Sequence, residues 1–118
     1  MKSAKELLEQ NDLDVKKFHV EKWGTDICLK ELTMKQAQDI STLATKKGVP
    51  LTEVMVKALY YSMCDEDGNK FFDNLNQAKK LLEKNKRVVE QIFEWCNEIN
   101  NQEPDEEELE KNLETEGS

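Results

Sequence analysis

The stretch KFHVEKWGTDICLKE occupies residues 17–31 and contains two short runs in which apolar and polar residues alternate. Phe18 and Val20 fall on one side of the first run, and Ile27 and Leu29 fall on one side of the second. Gly24 lies between the runs, in a segment typical of a turn. Strict alternation is typical of half-buried strands, so this stretch predicts a β-hairpin. Because an isolated hairpin is only marginally stable in water, we expect it to pack on helices.

The segments on either side of the hairpin begin with helix-capping signals. Ser3 and Glu6 have the spacing of a capping box and predict a short helix that ends near residue 10. Thr33 and Gln36 repeat this spacing before a second helix, which Gly48 and the proline that follows should end. The predicted apolar stripe of that helix consists of Ala37, Ile40, Leu43 and Ala44.

The most apolar part of the chain is residues 51–64, which predicts the central and most buried helix. Its apolar residues recur at helical spacing, and they are Leu51, Val54, Met55, Ala58, Leu59 and Met63. After an acidic turn at residues 65–69 and a cap candidate at Asn74, two further helical stripes comprise Leu75, Ala78, Leu81 and Leu82, then Val88, Val89, Ile92, Phe93, Cys96 and Ile99. Asn85 either separates these two helices or lies inside one long helix. The predicted fold class is α+β, predominantly α-helical, with an N-terminal β-hairpin packed on a small helical bundle.

The acidic charge is concentrated near the C-terminus. Residues 103–118 contain eight acidic residues and one lysine, so they carry −7 of the net charge of −8. We therefore expect one domain over residues 1–102 and a disordered acidic tail over residues 103–118. Leu109 and Leu113 are the apolar anchors of this tail, and their i,i+4 spacing allows a short helix that forms on a partner. A tail that only improves solubility is the alternative interpretation.

Composition also narrows the class of partner. A net charge of −8 disfavours nucleic acid and anionic membranes as partners, because polyanions repel an acidic chain. The sequence has neither a long apolar run nor a signal-peptide pattern at its start, so we expect a cytoplasmic protein. The three cysteines, Cys28, Cys64 and Cys96, are isolated from one another and are expected to be buried, reduced thiols.

Catalytic and metal-binding patterns find little support. The single histidine, His19, lies in a predicted strand, and the glycines do not form a phosphate-binding loop. Asp65, Asp67 and Asn69 imitate the first ligands of a calcium loop. That loop requires a glycine at position 70 and a glutamate at position 76, where this chain has lysine and asparagine. We therefore expect a plain turn with a left-handed glycine at position 68, and neither an enzyme nor a cofactor-binding protein.

Three segments together carry a family resemblance. They are VEKWGTDICLKELT at residues 20–33, ALYYSMCDEDGNKFF at residues 58–72, and residues 75–100. In their order and spacing they resemble the tail assembly chaperones of long-tailed bacteriophages and prophages.

The resemblance implies a cytoplasmic, non-catalytic chaperone that is absent from the mature virion. It implies binding to the tape-measure protein, recruitment of tail-tube subunits and a tendency to self-associate. In many members of the family a programmed frameshift also produces a longer form. As partner-binding residues we predict Trp23, Trp95, Leu109 and Leu113, although both tryptophans also suit a hydrophobic core.

Two other classes of protein remain open at this point. An acidic regulator, such as an antitoxin or an inhibitor, would explain the charged tail by binding a basic protein surface. A minor structural protein of the tail or capsid is the other class, and it would persist in purified virions.

Overall fold

The computed structural model describes residues 1–100, and its centre is the predicted hairpin. Strand β1 (Val15–Val20) pairs antiparallel with strand β2 (Thr25–Lys30). A short 3-10 helix, Glu21–Trp23, connects them and ends at Gly24, whose φ of 62° is in the left-handed region. Glycine adopts this conformation without a Cβ clash, which lets the chain reverse here. The hairpin prediction is confirmed.

A third strand, β3 (Met63–Cys64), adds to the free edge of β2. The helix predicted to continue through Cys64 ends at Ser62, so its last two residues were assigned wrongly. The Ser62 hydroxyl is fully buried and donates a hydrogen bond of 2.8 Å to the Lys30 carbonyl oxygen. By pairing with β2, these two residues supply partners to the backbone N–H and C=O groups at its edge, which two further residues of helix could not do.

The acidic turn folds back over the outer face of the sheet. The Asp65 carboxylate accepts hydrogen bonds of 2.9 Å from the backbone N–H groups of Asp67 and Asn69. Lys30 Nζ donates to the Gly68 carbonyl oxygen at 3.0 Å, which ties the turn to β2. Gly68 has a φ of 85°, which confirms the predicted left-handed turn. These contacts cover the end of the sheet where the pair Cys28 and Cys64 is buried.

Replacing Gly68 by alanine should destabilise the fold by about 1–2 kcal/mol, because an L-residue is strained in the left-handed region. The new Cβ would also lie 3.4 Å from Val15 Cγ2 in β1. Gly48→Ala is the matched control, since Gly48 has the same φ of 85° with no atom within 4 Å of an added Cβ. Urea unfolding should show a loss at position 68 at least as large as that at position 48. A neutral Gly68→Ala variant would contradict this account of the turn.

Residues 1–100 contain five α-helices, and a 3-10 segment joins two of them. Their bounds are α1 (Ala4–Glu9), α2 (Met34–Thr45), α3 (Leu51–Ser62), α4 (Leu75–Ala78), the 3-10 helix Lys79–Glu83, and α5 (Lys86–Asn100). The predicted caps are present: Ser3 accepts from the Glu6 N–H group, and Thr33 and Gln36 form a complete capping box. Asn85 separates the last two helical segments, because its side chain accepts from the N–H groups at the start of α5.

The core lies between the inner face of the sheet and the helices α3 and α5. Three core residues, one from each of β2, α3 and α5, have no exposed surface: Leu29, Leu59 and Ile92. The stripe predicted for α2 was partly wrong: Ile40 is half-buried, whereas the alanines at positions 37 and 44 are exposed. Helix α2 contributes no buried residue, because it contacts α3 from the outside of the bundle.

The fold class is therefore α+β and mostly helical, as predicted. None of the helices within residues 1–100 combines the length and the apolar character that crossing a membrane requires. The acidic tail predicted at residues 103–118 lies outside the described residues, and the division into a domain and a tail stays a prediction.

A lysine-rimmed apolar groove as candidate protein-binding surface

An apolar groove lies where the start of α3, the 3-10 helix Lys79–Glu83 and the first turns of α5 meet. It has a volume of about 400 Å³. Its apolar lining consists of Leu51, Met55, Leu81, Leu82 and Val89, and its polar lining includes Lys84, Lys86 and Glu90. We call this surface the lysine-rimmed groove.

Local backbone geometry explains why two leucines that line this groove, Leu51 and Leu82, stay exposed to solvent. Leu81 and Leu82 are adjacent in a 3-10 helix, where successive side chains point about 120° apart because a turn has three residues. Leu81 is therefore buried and Leu82 keeps 53% of its surface exposed. Leu51 is the first residue of α3, with no preceding turn to cover it, and it is 68% exposed. The sequence stripes had suggested core positions for both exposed leucines, and that expectation was wrong.

Leu82 also lines a second, smaller recess of about 220 Å³ on its other side. The apolar lining of this recess is Leu43, Val56, Leu75 and Leu82, and its polar lining is Glu53, Lys57 and Lys79. The ridge formed by Leu82 thus separates two concave apolar surfaces, which is the shape that receives the apolar side of a helix.

The chain segment that supplies Leu81, Leu82, Lys84 and Lys86 to the groove is basic, although the chain as a whole is acidic. Residues 79–87 contain five basic residues and one acidic residue. Among the described residues, no carboxylate oxygen lies within 4.0 Å of the ammonium groups of Lys79, Lys80 or Lys84. Within residues 1–100, Lys86 pairs with Glu90 at 3.4 Å, in an exposed position where such pairs contribute little. The groove therefore favours an apolar segment that carries acidic residues.

The predicted tryptophans lie elsewhere. Trp95 stacks on Phe18 of the hairpin with ring centroids 4.7 Å apart, so it fastens α5 to β1. Trp23 is half-buried and also packs against the core. Neither lines the lysine-rimmed groove, and their predicted role in partner binding stays a prediction. Leu109 and Leu113 lie outside the described residues.

The groove residues escaped sequence reasoning because an exposed leucine and a buried one look alike in a periodic stripe. One signal was available. A leucine pair at positions 81 and 82 stands inside the basic run of residues 79–87, which is an unusual setting for two core residues.

The titratable groups give little support to nucleophilic chemistry. Burial, reinforced by neighbouring Cys28, raises the pKa of the Cys64 thiol to about 11, and burial also raises the pKa of the Cys96 thiol. Both thiols are therefore protonated near neutral pH, which removes the nucleophilic thiolate form. His19 Nδ1 and Asp26 Oδ1 are 2.7 Å apart, but both side chains are largely exposed on the hairpin. Within residues 1–100, no three His, Cys, Asp or Glu side chains converge as metal ligands.

Comparison with known proteins gives a structural match. The solved structure of the bacteriophage HK97 tail assembly chaperone is similar to this chain, with a TM-score of 0.63 and 17% sequence identity. The match covers 85% of this chain and 95% of that chain. No protein-family model and no curated protein sequence matches the chain. The chain therefore has a tail-assembly-chaperone-like fold, which confirms the fold implied by the sequence resemblance.

Proposed function

We propose that the protein is a non-catalytic tail assembly chaperone that binds the tape-measure protein through the lysine-rimmed groove and recruits tail-tube subunits. The observation that carries the proposal is an exposed, concave apolar surface on a chain with the chaperone fold. Contiguous exposed apolar surface, such as that formed by Leu51 and Leu82 beside a cavity, often marks a site of interaction with protein segments.

The proposed mechanism is reversible coverage of apolar stripes. The tape-measure protein is expected to be long and mostly helical, so its unpaired apolar faces would aggregate before the tail is complete. A helix seated on the groove buries Leu51 and Leu82 against its own side chains. Each chaperone bound in this way hides a short apolar stretch from other tape-measure chains.

Magnitudes favour many weak contacts over one tight contact. Complete burial of a leucine contributes about 1.5–3 kcal/mol, whereas micromolar binding requires about 8 kcal/mol. Two leucines that are already partly buried therefore give one groove a modest affinity. Several copies along one tape-measure chain would hold it together through avidity and still release it when the tube assembles. Self-association of the chaperone, which we also propose, would add to this avidity.

A second surface supports contact with another protein, for which we propose the tail-tube subunit. It is a groove of about 230 Å³ between α2 and α5. Met34, which is 87% exposed, and the half-buried Ile40 and Phe93 line it. Because this groove and the lysine-rimmed groove share no lining residue, one chaperone could hold both partners at once. We place this assembly in the host cytoplasm.

Co-expression with the long tape-measure-like protein of the same genome tests the proposal. We expect the tape-measure protein to be soluble and to co-purify with this chain, and to be insoluble without it. An unrelated acidic protein of similar size controls for charge alone. If the tape-measure protein stays insoluble and nothing co-elutes, the proposal fails and the acidic-regulator hypothesis takes its place.

A further inference from the structure

We propose that in the free protein the chain's own acidic segment, residues 103–116, occupies the lysine-rimmed groove, with Leu109 and Leu113 as its apolar contacts. The contact itself follows from the groove and the sequence. Its consequence, that a partner must displace this segment, rests on the proposed function. The segment would then act as a built-in competitor for the binding surface.

Charge complementarity singles out this segment. The basic run at residues 79–87 contributes two lysines to the groove lining, and residues 103–116 hold eight acidic residues with one lysine. Lys84 and Lys86 stand in the groove lining itself. The remainder of the chain offers no second stretch with this density of carboxylates. Opposite charges at the rim favour and orient such an approach, and salt weakens it.

The apolar spacing also suits the groove. Leu109 and Leu113 are four residues apart, so one helical turn would place both on the same side, about 6 Å from each other. Leu51 and Leu82, which are exposed, line the groove together with Met55 and offer apolar contacts for both tail leucines. Glu108 and Glu110 flank Leu109, and Glu114 follows Leu113, so carboxylates would then lie near the lysines of the rim.

The chain is long enough to make the contact within one molecule. Helix α5 ends at Asn100, and its first turns, which carry Lys86 and Val89, border the groove. The helix of 15 residues is about 22 Å long. Leu109 follows nine residues after Asn100, and an extended segment of that length spans up to about 30 Å. A tether of this kind gives an effective concentration of about a millimolar, so even a weak contact is populated.

A spin label at position 118 tests the contact. Ser118→Cys provides the attachment point, while Cys28, Cys64 and Cys96 are at most 7% exposed and should not react in the native protein. Mass measurement of the unsubstituted chain after treatment with the labelling reagent verifies that these three cysteines stay unlabelled. We expect the label to broaden the amide signals of Leu82, Lys84 and Val89 in NMR spectra.

The reference signals come from the turn around Gly68. This turn follows the C-terminal end of α3, whereas the groove lies at its N-terminal end, and a helix of 12 residues is about 18 Å long. The turn should remain sharp while the groove signals broaden. Raising the salt from about 0.05 M to about 0.5 M should restore the groove signals at least twofold, because the Debye length falls severalfold.

Two variants make the result specific. Leu109→Ser together with Leu113→Ser should abolish the broadening at the groove, and Thr115→Ser is the control that leaves both leucines in place. Lys84→Glu together with Lys86→Glu should weaken it as well, and Lys46→Glu together with Lys47→Glu is the matched control outside the groove lining.

Several outcomes would overturn the inference. One is equal broadening at the groove and at the Gly68 turn. Another is broadening that survives the double leucine substitution. A third is broadening of an isotope-labelled, spin-free chain by a spin-labelled second copy, because the occupant would then come from another molecule. None of these measurements includes the tape-measure protein, so the inference can fail while the proposed function stands, and the reverse.

Discussion

Leu59→Ala should lower the free energy of unfolding by about 2–5 kcal/mol, which is a large part of the 5–15 kcal/mol that stabilises a domain of this size. Leu59 lies in the middle of α3 and has no exposed surface. It belongs to the buried cluster that joins α3 to the sheet and to α5. Alanine would leave a cavity there, since the neighbours from three elements cannot all collapse into it.

Thermal unfolding measures this effect, because one kcal/mol shifts the melting temperature of such a domain by about 4–8 °C. Leu51→Ala is the matched control: the same substitution in the same helix, at a residue that is 68% exposed. It should change stability by about 0.5 kcal/mol or less. Equal losses for the two variants would refute the placement of the core between α3, α5 and the sheet.

Leu51→Asp combined with Leu82→Asp should eliminate the solubilisation of the tape-measure protein while leaving the chaperone folded. Both leucines are more than half exposed, so their replacement removes little from the core. An aspartate at the start of α3 is also compatible with the helix dipole. A partner would instead have to bury two carboxylates in an apolar contact, which costs several kcal/mol if they stay unpaired. Co-purification measures the loss, and circular dichroism verifies the fold.

Helix α1 supplies the matched control for this variant. Leu7 and Leu8 are 62% and 83% exposed, and neither lines the groove. Leu7→Asp combined with Leu8→Asp introduces the same charges at exposed leucines and should leave co-purification unchanged. If the α1 variant loses the partner and the groove variant keeps it, the binding surface has been assigned to the wrong part of the molecule.

Local interactions explain why so much of the fold was predictable. The caps at Ser3, Thr33 and Asn74 satisfy backbone N–H groups within three residues of themselves, and each marks the start of a helix where the sequence placed it. The hairpin follows from alternation and a left-handed glycine, which act over a few residues. Asn85 could not be decided in this way, because an asparagine inside a helix and one that caps the next helix look alike until the packing is known.

The candidate site, like the role of Asn85, could not be predicted without knowledge of the packing. The residues of the lysine-rimmed groove come from three elements, and only their packing brings Leu51 near Leu82. Trp95 had suited an interface or a core; stacking on Phe18 places it against the hairpin, and whether its exposed part also meets a partner stays a prediction. Leu109 and Leu113 lie outside the described residues. The sequence shows their apolar spacing and the acidic charge around them, and the groove offers the apolar and basic side chains that we propose they contact.

The sequence by itself determined the hairpin, the helix starts, the acidic turn with its left-handed glycine, and the predominance of helix, because short-range hydrogen bonds and periodic burial fix all of these. It also carried the resemblance to the tail-assembly-chaperone fold. Only the tertiary structure decided that residues 63 and 64 leave the helix to pair with β2, because that choice depends on their partners Leu29 and Cys28, which lie 34 and 36 residues earlier in the chain. The tertiary structure alone also decided which leucines stay exposed. Burial depends on the neighbouring elements, and a periodic apolar stripe does not show which of its residues a neighbour covers.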